Sequence, residues 1–353
     1  MVDLCDIKSS IDQVLFPYQR LVEQSFRIGV AVSGGIDSMV LARGLFFWKQ
    51  YYPLHTLHAI TVDHQLRKES SEEALQVHEW LQPYTDSHDV VTWTDPQHQD
   101  FSLKNLQQKA RKARYRLLHS WCVEKNLSFL FVAHHQDDQL ETFWMRLSKG
   151  SGPIGLAGMD KISLLHHHAP SFKQSASIYL VRPLLSISRS DIEQIAQKHH
   201  IPFVQDPSND SLKYERIQWR FKKKNLDHLG LKRQASANVM AKMRDCRHMI
   251  EYFVDQFFHD SIVCSQEYWT VDRKELIKLP IFLQIVIIQR ILQQKTNRVH
   301  PTNYTTTRLL CKKFQKLTDH KKTTLGGCLF ILNPQFIVIR LENRPQKTLV
   351  SND

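Results

Sequence analysis

Over its first 205 residues the chain alternates short apolar runs with stretches of helical period. The runs Arg27–Ser33 (RIGVAVS), Leu54–Asp63 (LHTLHAITVD), Asp89–Thr94 (DVVTWT), Ser128–His134 (SFLFVAH) and Tyr179–Leu185 (YLVRPLL) predict strands. Between and after them, Met39–Trp48, Ser70–Leu81, Ser102–Glu124, Asp137–Ser148 and Arg189–His199 predict helices, the last opened by Ser188-Arg189-Ser190-Asp191. Strands that are almost continuously Val, Ile and Leu belong in a parallel sheet covered on both faces. The expected fold class is therefore α/β, a doubly wound, mainly parallel sheet.

The pattern changes after about residue 222. Ile250, Phe253, Val254, Phe257 and Phe258 keep helical spacing, as do Leu283, Val286, Ile287 and Ile291, which predicts apolar stripes packed between helices. Leu325–Leu332 and Gln335–Leu341 read as two strands joined at Asn333-Pro334. The expected organisation is a domain over 1–222 and a smaller, mainly helical domain over 223–353 that ends in a short hairpin. A length of 353 residues agrees with two domains.

Composition narrows the function. With 47 Lys and Arg against 35 Asp and Glu the formal charge is +12, which points to a polyanion, nucleic acid foremost. No run approaches the roughly 18–20 uncharged apolar residues that cross a bilayer. The start, Met1-Val2-Asp3-Leu4-Cys5-Asp6, lacks a basic, then apolar, leader. A cytoplasmic protein without a membrane partner is expected. Cysteines 5, 122, 246, 264, 311 and 328 are dispersed and form no C-x-x-C, which argues against a disulfide framework, a Cys-based zinc site or an iron–sulfur cluster. His166-His167-His168 reads as a surface loop. Glycine is scarce, 11 residues, yet it pairs at Gly34-Gly35 and crowds at Gly150, Gly152, Gly155 and Gly158. Such placement suggests backbone shapes that other residues avoid.

The first glycine pair follows a predicted strand and precedes a helix, in Ser33-Gly34-Gly35-Ile36-Asp37-Ser38. A strand–turn–helix unit aims backbone N–H groups and a helix N-terminus at one point, an anion site to which Ser33 and Ser38 could add hydroxyls. It is neither a Walker A loop nor G-x-G-x-x-G. Asp37 would repel a phosphate unless a cation bridges the two, and Mg²⁺ is the hard ion suited to that. The hexapeptide resembles the pyrophosphate-binding loop of the PP-loop ATPases, which cleave ATP between the α- and β-phosphates. The resemblance implies ATP-binding by Ser33, Gly34, Gly35, Ile36, Asp37 and Ser38.

A second group, His134-His135-Gln136-Asp137-Asp138-Gln139-Leu140-Glu141-Thr142, follows another predicted strand. With a helix from about Asp137, His134, Asp138 and Glu141 share a side. One aspartate could simply cap the helix. The rest of the group suggests a cation, either Mg²⁺ or an ammonium substrate. Arg111 and Arg114 lie three apart on the long helix, either solvated or set against phosphate or nucleic acid. Lys213–Lys224 (KYERIQWRFKKK) interleaves six basic residues with aromatics, and Arg216, Arg220 and Lys224 would line one helical face suited to backbone phosphates.

Taken in order, these motifs resemble the tRNA(Ile)-lysidine synthetase family of PP-loop ligases over about residues 25–222. They are SGGIDS, Val62-Asp63-His64-Gln65-Leu66-Arg67, K-A-R-K-A-R-Y at 109–115, H-H-Q-D-D-Q-L-E-T at 134–142 and G-S-G-P-I-G-L-A-G-M at 150–159. Arg182-Pro183-Leu184-Leu185 and Asp206-Pro207-Ser208-Asn209 follow. The glycine-rich segment is the most discriminating. Gln65, Gln107, Lys149 and Ile217 depart from the family pattern, and the chain ends sooner than longer members, which carry a further small domain. The resemblance implies a PP-loop domain of the adenine-nucleotide α-hydrolase type with ATP and Mg²⁺ as cofactors. It also implies ligation of free L-lysine to the C2 position of the wobble cytidine of CAU-anticodon tRNA(Ile), through an adenylated RNA. The implied catalytic residues are Asp37, His134, Asp137, Asp138, Glu141 and Arg114; the implied tRNA contacts are Arg111, Arg216, Arg220 and Lys224. The C-terminal domain is expected to hold the tRNA body. A PP-loop tRNA thiolase is disfavoured by the dispersed cysteines, and a glutamine amidotransferase by valine at position 2. A non-catalytic RNA-binding protein on the same fold is the alternative of a different class.

Overall fold

A computed structural model describes residues 2–18, 25, 27–63, 70–93, 103–165, 177–204, 232–298, 300–316 and 321–342. The chain divides into two compact units, residues 1–242 and 243–353. The division falls inside one long helix, Arg233–Ser261. The expected boundary at 222 lies outside the described residues, as do His166–His168, Asp206–Asn209 and Lys213–Lys224.

The first unit is built on a six-stranded sheet in the order β3-β2-β1-β4-β6-β5. Its strands are β1 (Arg27–Ala31), β2 (Thr56–Asp63), β3 (Ser87–Thr92), β4 (Phe129–Phe131), β5 (Ile162–Leu164) and β6 (Tyr179–Val181). All neighbouring pairs are parallel except β5 with β6. The chain lays β2 and β3 on one side of β1, then returns to place β4 on the other. Helices α1 (Leu4–Leu15), α2 (Ile36–Lys49), α3 (Ser70–Leu81), α4 (Leu103–Glu124), α5 (Gln136–Ser148), the single turn α6 (Pro153–Leu156) and α7 (Arg189–Lys198) accompany it.

Both faces of the sheet are covered, and β4 shows how. Phe129 and Phe131 enter a core with Leu4, Ile7 and Ile11 of α1 and Val40, Leu41 and Leu45 of α2. Leu130 enters the opposite core with Leu118, Trp121 and Cys122 of α4. A strand buried on both faces needs no polar alternation, which is why these runs are apolar throughout. The predicted strands Arg27–Ser33, Ser128–His134 and Tyr179–Leu185 run past the observed ones at their carboxyl ends, because there the chain leaves the ladder to form loops, whereas Leu54–Asp63 ends where the observed strand does. Tyr179–Leu185, for example, is a strand only to Val181 and then a 3₁₀ turn over Pro183–Ser186.

At the other end of the sheet His88 of β3 bonds through Nε2 to Thr61 Oγ1 (2.8 Å) and through Nδ1 to His78 Nδ1 (3.1 Å). Burial, reinforced by His78 and opposed by Asp89, lowers His88 to about 4. The unfolded chain therefore binds this proton first, near pH 6.5, while the folded protein refuses it until about pH 4. Stability should fall as pH drops from 6.5 towards 4. Urea midpoints at pH 7 and pH 5 test this, and His88→Gln should flatten the difference; equal slopes in both proteins would assign the loss elsewhere.

The second unit comprises the end of α8 (Arg233–Ser261), helices α9 (Arg273–Lys278), α10 (Ile281–Thr296) and α11 (Tyr304–Gln315), and a five-stranded antiparallel sheet. Its strands are β7 (Ile262–Cys264), β8 (Tyr268–Asp272), β9 (Lys322–Leu325), β10 (Cys328–Leu332) and β11 (Phe336–Leu341), in the order β7-β8-β11-β10-β9. The predicted hairpin is the β10–β11 pair, set within this larger sheet. Leu325 belongs to a separate strand because Gly326 and Gly327 (φ +63° and +83°) form a tight reversal, the two-residue turn that matches strand twist. Of the predicted stripes, Ile250, Val254, Phe257, Ile287 and Ile291 are buried, whereas Phe253 is exposed.

Candidate active site

The strand order reverses at β1, with β2 and β3 on one side and β4 on the other, all parallel to it. Open α/β sheets bind ligands in the crevice this creates. Both motifs read from the sequence occupy it.

After β1, Gly34 takes φ +81°, and a Cβ there would lie 2.7 Å from Val77 Cγ2, so only glycine fits. Gly34 O accepts a hydrogen bond from Val204 N (2.9 Å), which ties the loop to the segment after α7. Gly35 is the N-cap of α2 and supplies no capping side chain, so the first turn presents backbone N–H groups to a ligand. Ser38 Oγ donates to Gly35 O (2.8 Å) and accepts from Ser33 N (3.1 Å). These two bonds help to hold the shape of the loop.

After β4, the helix starts one residue earlier than predicted, and His135 is its N-cap. Asp138 Oδ2 accepts from His135 N (3.0 Å), and His135 Nδ1 accepts from Asp137 N (3.2 Å). The capping alternative thus holds for Asp138. Accepting at Nδ1 leaves the proton of the neutral ring on Nε2. That atom stands 3.6 Å from Asp138 Oδ2 and 3.8 Å from Asp37 Oδ1. One buried imidazole therefore stands between the carboxylate of the phosphate loop and that of the second motif. His134 is half-buried in the preceding segment. Asp138 and Glu141 are both buried and lie three apart, on one side of α5.

Two arginines that sequence reasoning did not single out complete the centre. Arg189 Nη1 lies 2.5 Å from Asp37 Oδ2, its backbone N–H donates to Asp137 Oδ2 (2.9 Å), and its Nε pairs with Glu193 (2.9 Å). Arg233, at the start of α8, pairs with Asp137 and donates to Gln136 Oε1 (2.9 Å). Each is distant in sequence from its partner and carries no periodic signal. Gln139 faces the glycine-rich segment: its amide donates to Met159 O and accepts from Met159 N, both at 2.7 Å. Gly158 (φ +77°) must be glycine there, since its Cβ would lie 2.7 Å from Gln139 Oε1.

Arg111 and Arg114 lie on α4, with guanidinium carbons 5.0 and 5.7 Å from the Tyr115 ring centre. Nearby Arg182 is buried at the end of β6 and donates to Asp160 O (2.9 Å) and Ser163 Oγ (3.1 Å). Burial pulls its pKa down, with Tyr115 and Asp160 opposing and Arg111 adding to the fall. Arg216, Arg220 and Lys224 lie outside the described residues, as do Gln65 and Ile217; Lys149 ends α5, exposed.

The residues fit a divalent cation at one point. Asp37 Oδ1 is buried and accepts no hydrogen bond among the described residues. Among those residues no cluster of three or more His, Cys, Asp or Glu side chains could hold a metal ion. A Mg²⁺ at Asp37 would take its remaining ligands from phosphate and water, its usual arrangement beside nucleotides.

Residues 5–223 match the family model of the PP-loop domain. The chain is 30% identical over 328 residues to the tRNA(Ile)-lysidine synthase of Wolbachia pipientis wMel, covering 92% of this chain and 73% of that one. It is 30% identical over 311 residues to that of Ruegeria pomeroyi, covering 86% and 68%. Among solved structures, the U34-tRNA thiolase NcsA of Methanococcus maripaludis superposes with a TM-score of 0.52 at 17% identity, over 68% of this chain and 77% of that one. This last likeness is one of fold. No described helix is long and apolar enough to cross a membrane.

Proposed function

The chain belongs to the tRNA(Ile)-lysidine synthase family of PP-loop proteins, and on that premise we propose that it ligates lysine to the wobble cytidine of a CAU-anticodon tRNA(Ile) at the expense of ATP. The observation that carries this reading is the meeting of the Asp37 loop with His135 and Asp138 at the carboxyl edge of the sheet, with Glu141 buried one turn further along α5.

The chemistry follows from that meeting. The N-terminus of α2 receives the phosphates, so the cytidine C2 oxygen attacks the α-phosphorus and pyrophosphate leaves. Asp37 would hold Mg²⁺, which neutralises charge on the departing pyrophosphate. Asp138 and Glu141 receive the lysine ε-ammonium, and a carboxylate of this group takes its proton. The freed amine attacks C2, forming the new C–N bond as AMP leaves with the former C2 oxygen. The cytidine must be unstacked to enter, which an anticodon loop permits more readily than a duplex. Arg111 and Arg114 would meet RNA phosphates at the cleft, as would Arg216, Arg220 and Lys224. The unit after residue 242, which carries Lys312, Lys313, Lys321 and Lys322, would hold the tRNA body through phosphates and shape.

The thiolase alternative asks for reactive sulfur. Burial pushes the Cys122 and Cys311 thiols up to about 12, which keeps both protonated. The direct test incubates the protein with ATP, labelled lysine and a CAU-anticodon tRNA(Ile) transcript. Label should enter the RNA, with AMP and pyrophosphate formed in step with it. ADP and orthophosphate as the stoichiometric products would overturn the reading, and ATP turnover without labelled RNA would leave the fold but remove the substrate.

A further inference from the structure

Asp37 poses an electrostatic problem before any nucleotide arrives. Its carboxylate stands at the mouth of an anion site, beside His135 and within reach of Asp138 through that ring. The structure supplies a cation from elsewhere in the chain. Arg189 Nη1 contacts Asp37 Oδ2 at 2.5 Å, while Oδ1, the other oxygen, accepts no hydrogen bond among the described residues and has His135 Nε2 at 3.8 Å.

Arg189 is well placed to let go. It is the first residue of α7, and its position is fixed by its backbone, not by its side chain. Its N–H bonds Asp137 Oδ2 (2.9 Å), the adjacent Ser188 caps the helix through Asp191 N (3.2 Å), and Ile187 O receives Gln136 N (2.9 Å). The side chain itself is 41% exposed and divides its donors between Asp37 and Glu193. A long, half-exposed arginine on an anchored helix terminus can swing through several ångströms without disturbing the elements around it. Arginine also has the planar fork that suits phosphate oxygens as well as carboxylate.

We infer that Arg189 is the counter-cation of Asp37 in the nucleotide-free enzyme, and that it transfers to the β- and γ-phosphates when Mg²⁺ and ATP arrive. The exchange conserves charge pairing: Asp37 gives up a guanidinium and gains a metal ion, while the guanidinium gains the group that will leave as pyrophosphate. Because the backbone of Arg189 holds Asp137, the same residue ties the phosphate end of the cleft to the start of α5. The inference rests on the ATP-using part of the proposed function.

Binding measurements with the full chain test both halves. For Arg189→Ala, Mn²⁺ titrated without nucleotide and followed by electron spin resonance should bind about tenfold more tightly, since Asp37 is uncovered. The gain should vanish when Asp37→Asn is added. Mg²⁺·ATP, by calorimetry, should bind about tenfold more weakly in Arg189→Ala, with AMP unchanged and Arg189→Lys restoring part of the loss. A mere surface ion pair would alter neither titration. Unchanged Mn²⁺ affinity would overturn the resting role, and unchanged Mg²⁺·ATP affinity, or an equal loss for AMP, would overturn the transfer. If the unaltered protein failed to bind Mg²⁺·ATP at all, the proposed function itself would fall and take this inference with it. An intact parent with an indifferent variant condemns Arg189 alone.

Discussion

Asp37→Asn is expected to abolish pyrophosphate release from ATP, with kcat/KM for ATP falling on the order of 10³-fold or more. The substitution preserves size and removes only the charge that would hold the metal ion beside the phosphates. It should leave the fold intact. Asp37 sits at a loop–helix junction, and its visible partner is a half-exposed arginine, an interaction worth about 0–1 kcal/mol. Thermal unfolding should therefore shift by no more than about 4 °C. A variant that keeps turnover within tenfold of the parent would remove Asp37 from the chemistry.

The second large effect belongs to Glu141, and it separates the two ends of the cleft. Glu141 is 6% exposed, next to Asp138 on the buried side of α5. A carboxylate so placed offers an ammonium ion a strong interaction, because little water competes there. Glu141→Gln keeps the shape and removes the charge, a loss of about 2–3 kcal/mol, so the apparent KM for lysine should rise on the order of 10²-fold. Formation of the adenylated RNA, measured as pyrophosphate release with lysine left out, should be largely retained. Unchanged lysine dependence together with lost ATP binding would mean that α5 serves the metal ion.

The two motifs and the sheet beneath them were legible because each has a local signature. Apolar runs flanked by helical period imply buried parallel strands, and a glycine pair between strand and helix implies an anion site. The placement of β1 beside β4 then brings Asp37 and His135 together. What escaped was non-local or lay at element ends. Counting helical positions from Asp137 passed over His135, which caps the helix that starts at Gln136 and stands beside Asp37. Arg189 and Arg233 reach their aspartates across long stretches of chain, and nothing near them in sequence announces it. Helix α1 does carry a local signature: Asp3 and Asp6 form a capping box across its first turn, and Leu4, Ile7, Ile11, Val14 and Leu15 make a buried stripe. In the second unit, β7 and β8 are too short for alternation to distinguish them from helix ends, and β7 follows α8 without a break.

The arrangement of strands also governs when in the life of the chain a cleft can exist. β1 finds β2 across a short connection, pairing Arg27–Ala31 with Thr56–Ile60. Its other neighbour, β4, lies about a hundred residues away in sequence and is joined to it through only three residue pairs. Until that distant pairing forms, the carboxyl edge of β1 has a wall on one side only, and the phosphate loop faces solvent without α5 or α7 opposite it. On the ribosome, β1, β2 and β3 emerge before the strand that completes the crevice has been made. Nucleotide bound in the completed crevice would favour only chains that have already closed this long loop, so ATP would act on folding as a lock on the finished sheet and not as a template for it.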